Sequence, residues 1–222
     1  MVFAFFRGGS GGSGLDHILT KAIGMLADAR HSFDLATLAL LTDAGSGPVA
    51  DDVHATDDRI NMAEQELRSE LVVHVAVQGS GDIGTVLGVT LMLKKIERIG
   101  DQAKNILDLA ENGVTLAGNP EIDAMLAERQ MLSELFAEAA AILADADTPE
   151  TTVADFSERV DAILAGFQVK MNGYMSSDRP GREVVPLAIY YRYLRRIVAN
   201  LLGVVRNSVE PVQSERVGDA DD

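Results

Sequence analysis

The chain has 222 residues, 34 of them acidic and 19 basic, for a net charge of −15. That balance argues against nucleic-acid binding, which needs a basic surface for phosphate contacts, and favours solubility, cations and basic partner surfaces. There is no cysteine, which removes disulfides, thiolate metal sites and cysteine catalysis. The length is enough for one large domain or two small ones.

The opening Met1-Val2-Phe3-Ala4-Phe5-Phe6-Arg7 is apolar but short of the roughly 20 residues that span a bilayer and lacks a signal-peptide cleavage pattern. It reads as a loose end or as a handle for a partner, for the body of the fold or for a membrane surface. Gly8 to Gly14 alternates glycine and serine and reads as a flexible tether. Beyond it, breakers punctuate the chain at Gly45–Pro48, Gly79–Gly81, Gly113–Pro120, Asp147–Pro149 and Ser176–Gly181. Six stretches of helical length lie between them, with apolar residues three and four apart. Leu93, Ile96, Gly100, Ala103, Leu107 and Ala110 form one such stripe, and Ile122, Met125, Leu126, Leu132, Leu135, Phe136 and Leu143 form another. Asp82 precedes the third stretch as a start signal, and Pro120 and Pro149 suit first-turn positions. Long helices joined by short loops pack antiparallel, so the expected fold is all-α and up-down.

One competing pattern is Gly79-Ser80-Gly81-Asp82-Ile83-Gly84 after the β-branched run Leu71–Val77, which matches the glycine fingerprint of a dinucleotide site. No other strand-like segment exists to build a sheet, and the run continues the helical period of Ile60, Ala63 and Leu67. The glycines therefore read as a tight helix–helix turn.

The two halves repeat. Leu91–Gly113 aligns without gaps on Ile189–Pro211, and Asp57-Asp58-Arg59-Ile60-Asn61 lies over Ser157-Glu158-Arg159-Val160-Asp161. A three-helix unit is duplicated, with the halves meeting near Gly118-Asn119-Pro120. The expected organisation is a tip and tether over 1–14, a first three-helix repeat over 15–116, a second, degenerate repeat over 117–211, and an acidic tail over 212–222.

Glu97 and Asp101 stand one helical turn apart, and like charges at that spacing cost about 0.2–0.5 kcal/mol unless a cation offsets them. If the second and third helices fold back about Ser80, Asp57 comes level with Ala103, within a turn of Asp101. Asp57, Asp58, Glu97 and Asp101 then converge, with His54 nearby. Such a cluster suits a hard, oxygen-seeking cation, Mg²⁺, Mn²⁺, Ca²⁺ or iron. The competing expectation is a patch neutralised by basic side chains, Arg59 and Arg98 foremost, with Lys104 near. In the second half Ser157, Arg195 and Ala199 replace Asp57, Glu97 and Asp101, so no equivalent cation site is expected there. Arg192, Arg195 and Arg196 make a positive patch instead, suited to a salt-bridge network, an anion or an acidic partner. Glu70 and His74, four apart, read as an exposed pair, and His17 and His31 as isolated. No nucleophile triad, P-loop or zinc-protease motif is present, so no catalysis is expected.

Ile96-Glu97-Arg98-Ile99-Gly100-Asp101, followed by Ala103 and Asn105-Ile106, resembles the signature helix of the PhoU-type phosphate-uptake regulators, and Asp57–Asn61 resembles the matching segment on the preceding helix. Tyr191–Ile197 and Asn207–Pro211 are similar to a divergent branch of that family. The resemblance covers about Leu15 to Pro211. It implies two pseudo-repeated antiparallel three-helix bundles and a non-catalytic regulatory or accessory protein of phosphate transport. It further implies divalent metal ligands at Asp57, Glu97 and Asp101, with Asp58 as a neighbour, and dimerisation. The implied partners are a phosphate transporter or its signalling kinase, with the protein in the cytoplasm or peripheral to the inner face of the membrane. The alternative is a helical interaction or scaffold protein of the same fold that binds no metal.

Overall fold

The computed structural model describes residues 12–79, 81, 83–145 and 147–209. Six α-helices account for most of them: α1 (Gly12–Leu41), α2 (Ala50–Gln78), α3 (Ile83–Glu111), α4 (Ile122–Ala144), α5 (Glu150–Met175) and α6 (Gly181–Val209). No strand occurs among the described residues, and the β-branched run Leu71–Val77 is the last part of α2. Gly79 ends that helix with φ 84°, a backbone conformation that side chains resist, and its N–H bonds the carbonyl of Val75. Gly113 ends α3 in the same way: its N–H bonds Ala110 and the next N–H bonds Leu109, the paired closure of a Schellman motif.

Some boundaries differ from the sequence expectation. The first turn of α1 takes in Gly12 to Gly14, so the last part of the expected tether is helical. Pro149 is the N-cap of α5 and Pro120 precedes the N-cap Glu121 of α4, one and two residues before the first turns expected of them. Residues 1–11, Asp82 and the tail beyond Val209 lie outside the described residues.

Helices α1, α3, α6 and α4 close a ring, α1 on α3, α3 on α6, and α4 on α1 and more lightly on α6. Helix α2 packs on α1 and α3, while α5 leans on α6. The internal repeat is a repeat of burial. Met92, Leu93, Ile96, Ile99, Ala103, Ile106 and Leu107 of α3 are buried, and so are Tyr190, Tyr191, Leu194, Ile197, Leu201, Val204 and Val205, each 98 positions later on α6. These stripes meet in one continuous core rather than two. Polar bonds also cross between the halves. Arg30 Nε donates to Ser133 Oγ at 2.9 Å, Ser133 donates to Asp34 at 3.1 Å, and Arg129 donates to Thr37 at 3.0 Å and to the Asp34 carbonyl at 3.1 Å. Among the described residues no helix is long and apolar enough to cross a membrane.

Candidate functional site

Helices α2 and α3 approach closely at Gly100, where a Cβ would stand 3.1 Å from Ile60 Cδ1 and 3.8 Å from Asp57 Oδ1. The absent side chain lets α2 deliver Asp57 to the α3 carboxylates. Asp57 is buried, and Lys104 Nζ donates to its Oδ2 at 3.0 Å. Glu97 is 12% exposed at its side chain; Lys94 Nζ lies 2.8 Å from its Oε1, while its Oε2 is buried with no hydrogen-bond partner. The Asp101 carboxyl is pushed above the usual range by burial first and then by the negative charges of Glu97 and Asp57, with Lys94 and Lys104 working the other way. The Lys104 ammonium is pushed up in turn, chiefly by its hydrogen bond to Asp57.

Glu97 and Asp57 each act electrostatically on Asp101, and both Asp57 and Asp58 act on Lys104. Asp58 is exposed, on the outside of α2. His54 bonds Glu111 Oε1 at 3.3 Å. Among the described residues, no group of three or more histidine, aspartate or glutamate side chains is arranged to hold a metal ion. Positive charge comes from lysines instead: Arg59 turns toward α1, with Thr56 at 2.8 Å and Asp28 at 3.4 Å. Lys94, three residues before Glu97, is the partner the sequence reading did not single out; its i, i+3 spacing was the available signal.

Other expectations resolve as follows. His31 is not isolated: its Nε2 lies 2.8 Å from Asp52 Oδ2. The Glu70 carboxylate is held by Lys21 of α1 at 2.8 Å. Arg192, Arg195 and Arg196 are exposed and form no ion pair with another described residue, so the salt-bridge network expected of them is absent there. A polar cluster that sequence reasoning missed lies between α4, α5 and α6. Lys170 Nζ donates to Glu128 Oε1 at 2.6 Å and to Tyr191 Oη at 3.1 Å, and Tyr191 donates to Glu128 Oε2 at 2.8 Å.

The bundle that carries Asp57, Glu97 and Asp101 matches a family profile described as PhoU domain, over residues 18–110. The first bundle is a PhoU domain. A phosphate-specific transport system accessory protein PhoU homolog of Aquifex aeolicus is 27% identical over 110 residues, 49% of this chain and 48% of that protein. The alignment thus spans about half the length of that relative. The PhoU fold extends further. The crystal structure of PhoU from Pseudomonas aeruginosa superposes with a TM-score of 0.69 at 22% identity, covering 89% of this chain and 96% of that one. The phosphate transport system regulatory protein PhoU from Streptococcus pneumoniae gives 0.67 at 15% identity, covering 90% and 97%. The PhoU profile spans most of α1 and all of α2 and α3 except the last residue of α3; the structural likeness takes in the second bundle as well.

Proposed function

We propose that this chain is a non-enzymatic accessory or regulatory protein of inorganic phosphate transport. It acts by contact with the transporter or its signalling kinase at the inner face of the membrane, and it works as a homodimer. The PhoU-domain match over the bundle that carries Asp57, Glu97 and Asp101 supports this reading. Deleting the gene and measuring phosphate uptake and phosphate-starvation gene expression tests it. Both are expected to rise in phosphate-replete cells; no change in either removes the reading.

Divalent-cation binding through Asp57, Glu97 and Asp101 is the finer part of the proposal. As arranged, Asp57 and Glu97 already hold Lys104 and Lys94, so a cation enters only where those ammonium groups leave. The unpartnered Glu97 Oε2 favours such an exchange; the two ion pairs favour the same fold acting as an interaction protein closed by its own lysines. Metal content of the purified protein, against a Glu97→Gln/Asp101→Asn variant, separates the two. Equal content in both eliminates the cation site and leaves the lysine-closed form.

A further inference from the structure

The end of the first bundle where α2 hands over to α3 is apolar and open. Val72, Val73 and Val77 of α2 and Ile83, Leu87 and Leu91 of α3 are between 44% and 74% exposed. From Leu71 to Leu93 the sequence carries one formal charge, Asp82, in a chain where 24% of residues are charged. A groove of about 590 Å³ runs there between the two helices, lined by Leu71, Val72, Val75, Ile83 and Val86 together with Arg68 and three neutral polar residues. Exposed apolar side chains beside such a groove mark a site that something covers.

The chain supplies an occupant. Helices α1 and α2 run antiparallel, and Lys21 Nζ reaches Glu70 at 2.8 Å and Glu66 at 3.8 Å, so Lys21 is level with about residue 68. Nine residues back from Lys21 is Gly12, the start of α1, and nine on from 68 is Val77. Residues 1–11 therefore join the bundle at the level of the open apolar end. The first six are Met-Val-Phe-Ala-Phe-Phe and hold three of the seven phenylalanines in the chain. From Gly12 back to Phe6 is six residues, a reach of up to about 20 Å, against a helix spacing of about 8–10 Å.

We propose that residues 1–6 seat in the α2–α3 groove of their own molecule, with Phe3, Phe5 and Phe6 against its valine and isoleucine lining. A short tether holds the segment near the groove at an effective concentration on the order of millimolar, so even a weak apolar contact is well populated. The segment thereby covers an apolar surface of an acidic protein. This inference stands apart from the phosphate-transport reading.

The absence of cysteine makes the test direct. In the full chain, Phe5→Cys is combined with Val72→Cys, and separately with Leu126→Cys, an exposed site on α4, as control. Disulfide formation is followed by non-reducing electrophoresis and mass. The expected result is a disulfide within one chain, formed at least tenfold faster than in the control and independently of protein concentration. Formation only between chains assigns the groove to a second copy and overturns the proposal; so does a rate equal to the control. Flotation of the Phe5→Cys/Val72→Cys protein with phosphatidylcholine–phosphatidylglycerol vesicles is the second arm. If the vesicles bind the chain and suppress the disulfide, the surface faces lipid and the proposal falls. As an independent readout, Phe5→Asp should raise binding of an apolar dye several-fold with helix content unchanged; unchanged dye binding counts against it.

Discussion

At the 98-residue spacing of the internal repeat, Leu93 of α3 corresponds to Tyr191 of α6, Gly100 to Val198, and Glu97 to Arg195. In the first half, Lys21 of α1 reaches across to Glu70 of α2. In the second half, Glu128 of α4 receives Lys170 of α5, and Tyr191 completes the cluster. The two bundles therefore share a pattern of burial and differ in what fills it. Apolar periodicity sets where the helices go, while the polar and aromatic fill sets what each bundle tolerates and which charges it shows. The second half is aromatic, with Tyr191 stacked on Tyr174 at 5.7 Å and tilted against Phe167 at 5.6 Å; the first, apart from Phe33 of α1, has an aliphatic core, close-packed around Gly100.

The largest test of this difference is alkaline. All four tyrosines lie in the second half. Burial pushes the Tyr174 phenol up to about 12 and those of Tyr190 and Tyr191 further. An unfolded phenol titrates near 10. A raised folded value means that stability is intact below pH 10 and is lost as pH rises above it, because only the unfolded state then releases the proton. Tyr190 and Tyr191 together should remove about 3 kcal/mol by pH 11, at about 1.4 kcal/mol per pH unit each. In a Tyr193→Phe background, which removes the one tyrosine outside this buried set, phenolate absorbance and helix loss should rise in one transition. Phenolate appearing well before helix is lost breaks the assignment of buried tyrosines to the second half. Next in size is Tyr191→Leu, which gives α6 the residue found at the matching place on α3. It removes the hydroxyl from Glu128 and Lys170 and the ring from Tyr174, at about 2–3 kcal/mol, or a fall in Tm of roughly 5–10 °C. A loss below 1 kcal/mol would make the two fills interchangeable.

Gly100→Ala probes the other half. The new Cβ meets Ile60 Cδ1 at 3.1 Å, so the Ile60 side chain must give by a few tenths of an ångström, at about 1 kcal/mol, which the better helix propensity of alanine offsets by a similar amount. Val198 shows that the matching place on α6 accepts a β-branched residue. Amide hydrogen exchange should quicken along α2 near Asp57 and stay unchanged in α5. Equal effects on α2 and α5 would show that the two helices are held alike.

Much of this is legible in the amino-acid sequence. Three- and four-residue apolar spacing gave six helices, and it kept Leu71–Val77 helical despite its β-branched composition, because the run continues the stripe of Ile60 and Leu67. Counting outward from Ser80 brought Asp57 to Asp101, since an antiparallel hairpin has a fixed rise per residue. The same count could not say which way a side chain leaves the helix, and Asp58, the adjacent residue, is exposed. The Glu128–Tyr191 and Arg30–Ser133 bonds join residues 63 and 103 positions apart, and nothing local in the sequence pairs them. Proline positions fell one or two residues from the helix starts expected of them because a cap and a first turn accept the same residue types.

The smallest predicted effect concerns the motif itself. Arg195→Glu with Ala199→Asp writes the Glu97/Asp101 pair into α6, at two exposed positions. Stability should change by no more than about 0.5 kcal/mol, the cost of like charges one turn apart on a solvated face. The surroundings are what α6 lacks. Ser157 stands where α2 has Asp57, Leu202 where α3 has Lys104, and Val198 where Gly100 lets α2 close in. The double variant should therefore hold no more divalent metal than the parent protein. A gain of one equivalent, read by elemental analysis after gel filtration, would show that two carboxylates four apart suffice on this scaffold. The buried Asp57, the glycine contact and the two lysines would then be packing features of the first bundle rather than determinants of its carboxylate site.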